Sequence, residues 1–265
     1  MAELDEAVLK VIAGPEKKSR VVTEKERKLT AYHEAGHAVV SYFLDHVDPV
    51  HQVTIIPRGP AGGMTIYRPT EDKSFNSRSD MFERIISCLG GRIAEEIMLD
   101  DISTGASGDI QQASSIARAM VTKYGMSDLL GPISYDSGTN SVFIGRDFAN
   151  TKSYSEKIAS QIDDEVKRIF DEAHEKGKEI LSEHKDLLIA TAEYLLENET
   201  MDGKLFEELC KTGSLPSKEE APAEDAPAEN PIMDEIRKEA LEDAKMQEFF
   251  DRGAPTTEDS EKEDQ

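Results

Sequence analysis

Apolar residues recur along most of the chain at the three-to-four spacing of amphipathic helices, interrupted near residue 50 by a stretch with strand character. Leu4, Ala7, Val8 and Val11 predict a short helix over 3–12, stopped by Gly14 and Pro15. Thr23, with Glu26 three residues on, reads as the cap of a second helix. That helix carries Leu29, Tyr32, Ala35, Gly36, Val39, Val40 and Phe43 and is expected to end near Asp48 and Pro49. VHQVTIIPRG, β-rich and bounded by Pro and Gly, predicts a strand, and GGMTIYRP a second one. After a polar loop, Ile85, Leu89, Ile93 and Ile97 predict a helix over 80–98. Its Gly90–Gly91 pair would let another backbone approach closely. A further helix is expected from Gly108–Asp109 to about Tyr124, followed by a Gly-, Ser- and Asp-rich connection over 125–152.

The second half is more strongly patterned. Ile158, Ile162, Val166, Ile169, Ala173 and Ile180 predict a long helix over 153–183, and Leu187, Leu188, Ala192 and Leu195 a shorter one over 185–197. The two read as an antiparallel helical pair, and DGKLFEEL closes the folded region. After about Ser214 the composition turns acidic and rich in Pro and Ala, which cannot bury a core. A short helix-like patch lies at about 231–250. The whole is expected to be mainly α, with a small β-sheet.

Composition narrows the function classes. The formal charge is -23, much of it in the tail, which argues against nucleic acid as a partner because phosphate contacts need clustered Lys and Arg. Two cysteines, Cys88 and Cys210, lie far apart and outside any CxxC spacing, so neither a disulfide framework nor a cysteine metal site is expected. There is no signal-peptide pattern, no apolar run of membrane-span length, and no GxxxxGK[ST] phosphate loop. The chain is therefore expected to be soluble, with no ATP site and no membrane insertion of its own.

The chemistry concentrates in AYHEAGHAVV. His33 and His37 sit four apart on a predicted helix, so both imidazoles share one face and can bind one zinc ion. Glu34 then projects beside the metal as a base. By chance alone, HExxH is expected in roughly one chain in a hundred of this length, and its place inside a strong helix beside Ala35 and Gly36 raises the odds. A catalytic zinc takes a third protein ligand. Two candidates stand out: the pair Glu95 and Glu96, and Asp109, for which helix capping is the competing role. Spacing does not choose between them. His46, His51, His174 and His184 read as surface or hydrogen-bonded residues.

AYHEAGHAVV, VTIIPRG, GGMTIY, GGRIAEEI, STGASGDIQQA, ARAMVTKYGMSD and LGPISY occur in an order that resembles the peptidase domain of the FtsH family, the membrane-tethered, ATP-dependent AAA zinc proteases. The likeness covers about residues 3–208. It implies residues 1–20 as the end of the AAA module and linker, 21–208 as the zinc peptidase domain, and 209–265 as an acidic tail. It implies one zinc per subunit, held by His33, His37 and Asp109, with Glu34 as base and Glu95 or Glu96 steadying the site from behind. It further implies a homo-hexamer acting on unfolded polypeptides in protein quality control, and GGMTIY as an edge strand for an extended substrate. The family's transmembrane segments and ATPase module have no counterpart here, so either an excised piece or a natural stand-alone relative is expected, and the abrupt Met-Ala start favours the excised piece. The full-length protein would sit at the bacterial inner membrane with this domain facing the cytoplasm. The rivals are a scaffold module with a closed, four-ligand structural zinc, and a metal-dependent hydrolase acting on something other than peptides.

Overall fold

The computed structural model describes residues 22–59, 61–70, 72–99, 101–135 and 154–215, with Lys10, Val11, Gly14 and Pro15. Of the helix expected over 3–12, only Lys10 and Val11 fall among the described residues, and both are helical. The patch at 231–250 lies outside them.

Helix α1 (Glu24–Tyr42) opens on a reciprocal cap: the Glu26 backbone N–H donates to Thr23 Oγ1 at 3.2 Å, and the Thr23 N–H donates to Glu26 Oε2 at 3.1 Å. It stops at Tyr42, earlier than the pattern predicts. Phe43 and Leu44 donate three residues back, to Val40 and Ser41, and tighten the last turn. Beyond them come Asp45 and His46, and Asp48 is biased away from helix by Pro49. Strands β1 (Val50–Thr54) and β2 (Met64–Tyr67) form an antiparallel pair, with Val53 opposite Thr65. Helices α2 (Arg78–Met98), α3 (Ser107–Thr122), α4 (Glu156–Glu183) and α5 (Lys185–Asn198) follow close to their expected positions. Two elements were not expected in TMDGKLFEEL: strand β3 (Thr200–Asp202) and helix α6 (Gly203–Thr212). β3 pairs antiparallel with β1, giving a sheet of order β2-β1-β3 that leaves β2 at the edge.

α1 runs through the middle and is buried from Ala31 to Ser41. Small residues make this possible. A Cβ on Gly36 would lie 2.5 Å from the Gly90 carbonyl oxygen, and one on Gly90 would lie 2.8 Å from the Gly36 oxygen, so α1 and α2 meet backbone to backbone. Both helices of the expected pair are present, and each packs mainly on a different core helix: α4 on α2 and α5 on α1. The core they close includes Ile85, Ile93, Leu181, Leu188 and Leu195, all essentially without exposure. Each such side chain contributes roughly 1.5–3 kcal/mol by leaving water. The compact unit ends at Leu215. Among the described residues no helix is long and apolar enough to cross a membrane.

Candidate metal centre

α1 sets His33 and His37 one turn apart, both buried, and each ring is oriented through Nδ1. His33 Nδ1 lies 2.8 Å from Glu95 Oε1, and His37 Nδ1 lies 2.8 Å from the Ser87 carbonyl oxygen. Both partners are acceptors, so Nδ1–H donates in each ring, and in the neutral ring Nε2 keeps its lone pair for a metal. The two Nε2 atoms stand 3.1 Å apart. Asp109 Oδ2 lies 3.3 Å from His33 Nε2 and 3.6 Å from His37 Nε2. Three donor atoms thus converge on one point, which a cation, whether a proton shared among them or a metal ion, would fill. A tetrahedral ion with bonds of about 2.0–2.1 Å has ligand-to-ligand edges of about 3.3–3.4 Å, and the three separations bracket that value. Two imidazoles and a carboxylate are a donor set that suits zinc. Among the described residues no other group of three His, Cys, Asp or Glu side chains converges in this way.

The charges around the site favour a cation there. Burial works against a protonated His33, but the hydrogen bonds to Asp109 and Glu95 and the charge of Glu34 outweigh it, pushing its pKa up to about 10. Burial likewise opposes ionisation of Asp109, yet its bonds to the two imidazoles hold the carboxyl well below the usual range. Asp109 is the third residue of α3, whose N-cap, Ala106, makes no side-chain cap bond. The Asp109 carboxylate faces the imidazoles.

Glu34 behaves differently. Burial pushes its carboxyl up, against the pull of His37 and His33. Thr65 Oγ1, on β2, donates to Glu34 Oε2 at 2.8 Å. The strand presses close at this point, since a Cβ on Gly63 would lie 2.9 Å from Glu34 Cγ.

Behind the imidazoles, α2 presents one line of residues four apart: Ser87, Gly91 and Glu95. A Cβ on Gly91 would come within 2.6 Å of both Nε2 atoms, so only glycine leaves room for the two rings. Glu95 is fully buried. Besides His33 it meets Ser103, whose N–H donates to Oε2 at 2.8 Å and whose hydroxyl donates to Oε1 at 3.0 Å. Burial opposes ionisation of Glu95, but these bonds hold its carboxyl below the usual value. Glu96 lies elsewhere, accepting from Arg92 Nε and paired with His174 Nε2, each at 2.9 Å, and it ties α2 to α4. Sequence reasoning named neither Thr65 nor Ser103. It also missed a half-buried hydroxyl cluster of Ser41, Tyr67 and Ser87 on α1, β2 and α2. The one available signal was register: Glu95 follows Gly91 by four residues, whereas Glu96 follows Arg92.

The site opens into a cleft of about 1880 Å³, bordered by His33, Glu34, His37, Asp109 and the edge strand's Thr65 and Tyr67. That is room for an extended chain segment, beyond the roughly 300–1,000 Å³ usual for small ligands. The arrangement can hold a divalent ion at an open position beside a buried carboxylate.

Comparison with known proteins agrees with this geometry. The chain is 56% identical over 207 residues to the ATP-dependent zinc metalloprotease FtsH 2 of Alkaliphilus metalliredigens, covering 78% of this chain and 30% of that protein. It is 48% identical over 217 residues to the ATP-dependent zinc metalloprotease FtsH of Bacillus subtilis, covering 82% and 34%. The chain therefore spans about a third of the length of the curated relatives it matches. Residues 20–209 match peptidase family M41, which takes in α1 to α5, all three strands and most of α6, and the chain belongs to that family.

Proposed function

We propose that this chain is a zinc-dependent endopeptidase domain that hydrolyses peptide bonds in unfolded or flexible polypeptides. The observation that carries the reading is the convergence of His33 Nε2, His37 Nε2 and Asp109 Oδ2 within 3.1–3.6 Å of one another at the wall of an open cleft. These three side chains would hold the zinc. When bound, such an ion lowers the pKa of water and polarises a carbonyl. Glu34, kept basic by burial, takes the proton from the attacking water and returns it to the departing amide nitrogen. Thr65 occupies Oε2 of that carboxylate and leaves Oε1 for the proton. Glu95 fixes the tautomer of His33 and the Ser87 carbonyl that of His37. An extended substrate pairs along the free edge of β2, with main-chain bonds supplying affinity. A structural zinc would call for four protein ligands in a closed sphere, whereas three converge among the described residues and they face the cleft.

The names of the relatives speak of ATP dependence. By extension we propose that in the longer protein a homo-hexamer with an ATP-driven module feeds this domain at a membrane, in protein quality control. The chain by itself then cleaves flexible polypeptides slowly and without ATP. The test is cleavage of casein by the purified chain, with and without zinc, beside Glu34→Gln. Zinc-dependent cleavage is expected, with the variant binding zinc as before and losing at least about 10²–10⁴-fold in rate. Ordinary activity in Glu34→Gln would show that the base is misassigned.

A further inference from the structure

One cluster of hydroxyls, largely shielded from water, has no part in this chemistry. Ser41 of α1, Ser87 of α2 and Tyr67 of β2 bring three hydroxyls into a closed triangle. The Ser41 and Ser87 oxygens are 2.8 Å apart, the Tyr67 oxygen is 3.1 Å from Ser41, and it is 3.3 Å from Ser87. Each hydroxyl has one hydrogen and can accept another, so the triangle satisfies itself without a further partner. Burial raises the Tyr67 phenol to about 12, so it remains a donor.

The location gives the triangle its meaning. Each corner belongs to an element that carries part of the site. Ser41 is one turn beyond His37 on α1. Ser87 supplies the carbonyl that orients His37. Tyr67 ends the edge strand, and two residues before it, on the same face of that strand, Thr65 holds Glu34. β2 is thus fastened to the helices at two points. It needs both, because among the described residues its only strand neighbour is β1, through a register that slips between Val50 and Gln52, close to Tyr67.

We propose that Tyr67 is a positioning residue: through Ser41 and Ser87 it holds the free edge of β2 at a fixed height over Glu34, so that a polypeptide pairing with the strand enters with its peptide bond in register with the base. The inference rests on the endopeptidase reading and adds to it the device that fixes the substrate's seat. The peptide ligand is recognised by its main chain, so the effect is independent of its sequence.

The test uses the zinc-loaded chain and its Tyr67→Phe and Ser41→Ala variants, singly and together. The first measurement is cleavage of an unstructured fluorogenic peptide. Tyr67→Phe removes the two half-buried hydrogen bonds of the phenol and is expected to raise KM about ten-fold, with a smaller change in kcat and unaltered zinc affinity. Because the triangle acts as a unit, the double variant should lose little more than the worse single one. The second measurement is amide hydrogen exchange over residues 64–67, which needs no catalysis. Exchange is expected to quicken there in Tyr67→Phe while α1 and α2 keep their protection. Failure of the endopeptidase reading appears as a wild-type chain that cleaves nothing, and the exchange measurement then still judges the anchoring. Unchanged exchange in β2, an unchanged KM in an active enzyme, or fully additive losses would each overturn the proposal.

Discussion

Glu95 and Glu96 are adjacent in sequence and serve opposite sides of one helix. Glu95 takes the hydrogen of His33 and is buried, and Glu96 sits in a surface network with Arg92 and His174. Glu95→Gln should therefore weaken zinc binding by roughly 10–100-fold, while Glu96→Gln leaves it within about two-fold, as read by competition with a chelator. Equal effects would remove Glu95 from behind His33. At this scale the helical part of the site was legible, because residues four apart on a helix must share a face and His33 and His37 had only to be placed in one. Asp109 was not fixed by spacing. It comes from another helix 76 residues away, and in the sequence only a likeness to a known family singles it out. Thr65, Ser103 and the Ser41–Tyr67–Ser87 triangle were invisible for the same reason. Serine, threonine and tyrosine are common surface residues, and nothing local distinguishes one that folding brings against a buried carboxylate.

Among the elements, α4 shows how a polar residue on an apolar stripe can be read. Glu165 is buried, accepts from Ser127 Oγ at 2.7 Å and from Arg168 Nε at 2.9 Å, and pins the turn after α3. The Arg168 guanidinium, against the cost of burial and with help from Ser127, holds its carboxyl below the ordinary range. A folded-state pKa below the unfolded one means that this contribution is complete above about pH 4.3 and is lost as the pH falls through the folded value. Glu165→Gln should cost about 1–3 kcal/mol at pH 7, and the gap to wild type should shrink in acid, as followed by thermal unfolding at both pH values. A gap that stays constant would mean that the charge of Glu165 contributes nothing. The long helices were legible because their periodic stripes run for many turns. β3 was not, since three residues are too few to show alternation, and what makes Thr200–Asp202 a strand is the exposed edge of β1, far away in sequence.

For the molecule as a whole, the metal is expected to be a ligand of the folded state alone, because α1 and α3 bring His33, His37 and Asp109 together only on folding. Free zinc at a thousand times its dissociation constant then adds about 4 kcal/mol of stability. Removing it with a chelator should lower Tm by on the order of 10 °C, and Asp109→Ala should abolish most of that difference. A chelator-insensitive Tm would contradict a site that forms with the fold. The mainly helical class was legible from periodicity. The way the helices pair was not: α5 joins α1 through contacts such as Arg27 Nη2 donating to the Leu196 carbonyl at 2.9 Å, which no local pattern announces.

The strand order β2-β1-β3 also sets a timetable for synthesis. The hydroxyls of Thr54 and Thr200 meet at 2.9 Å across a separation of 146 residues, which a ribosome takes roughly 7–30 s to cover. Throughout that interval β1 and β2 make only a two-stranded ribbon, which is marginal in water, and α1 lacks the cover of α5. The histidines and the groups that orient them emerge early, and the strand that completes the sheet and the helix that covers α1 emerge late. The sheet whose edge is proposed to receive a substrate is therefore complete only after residue 202 has been made.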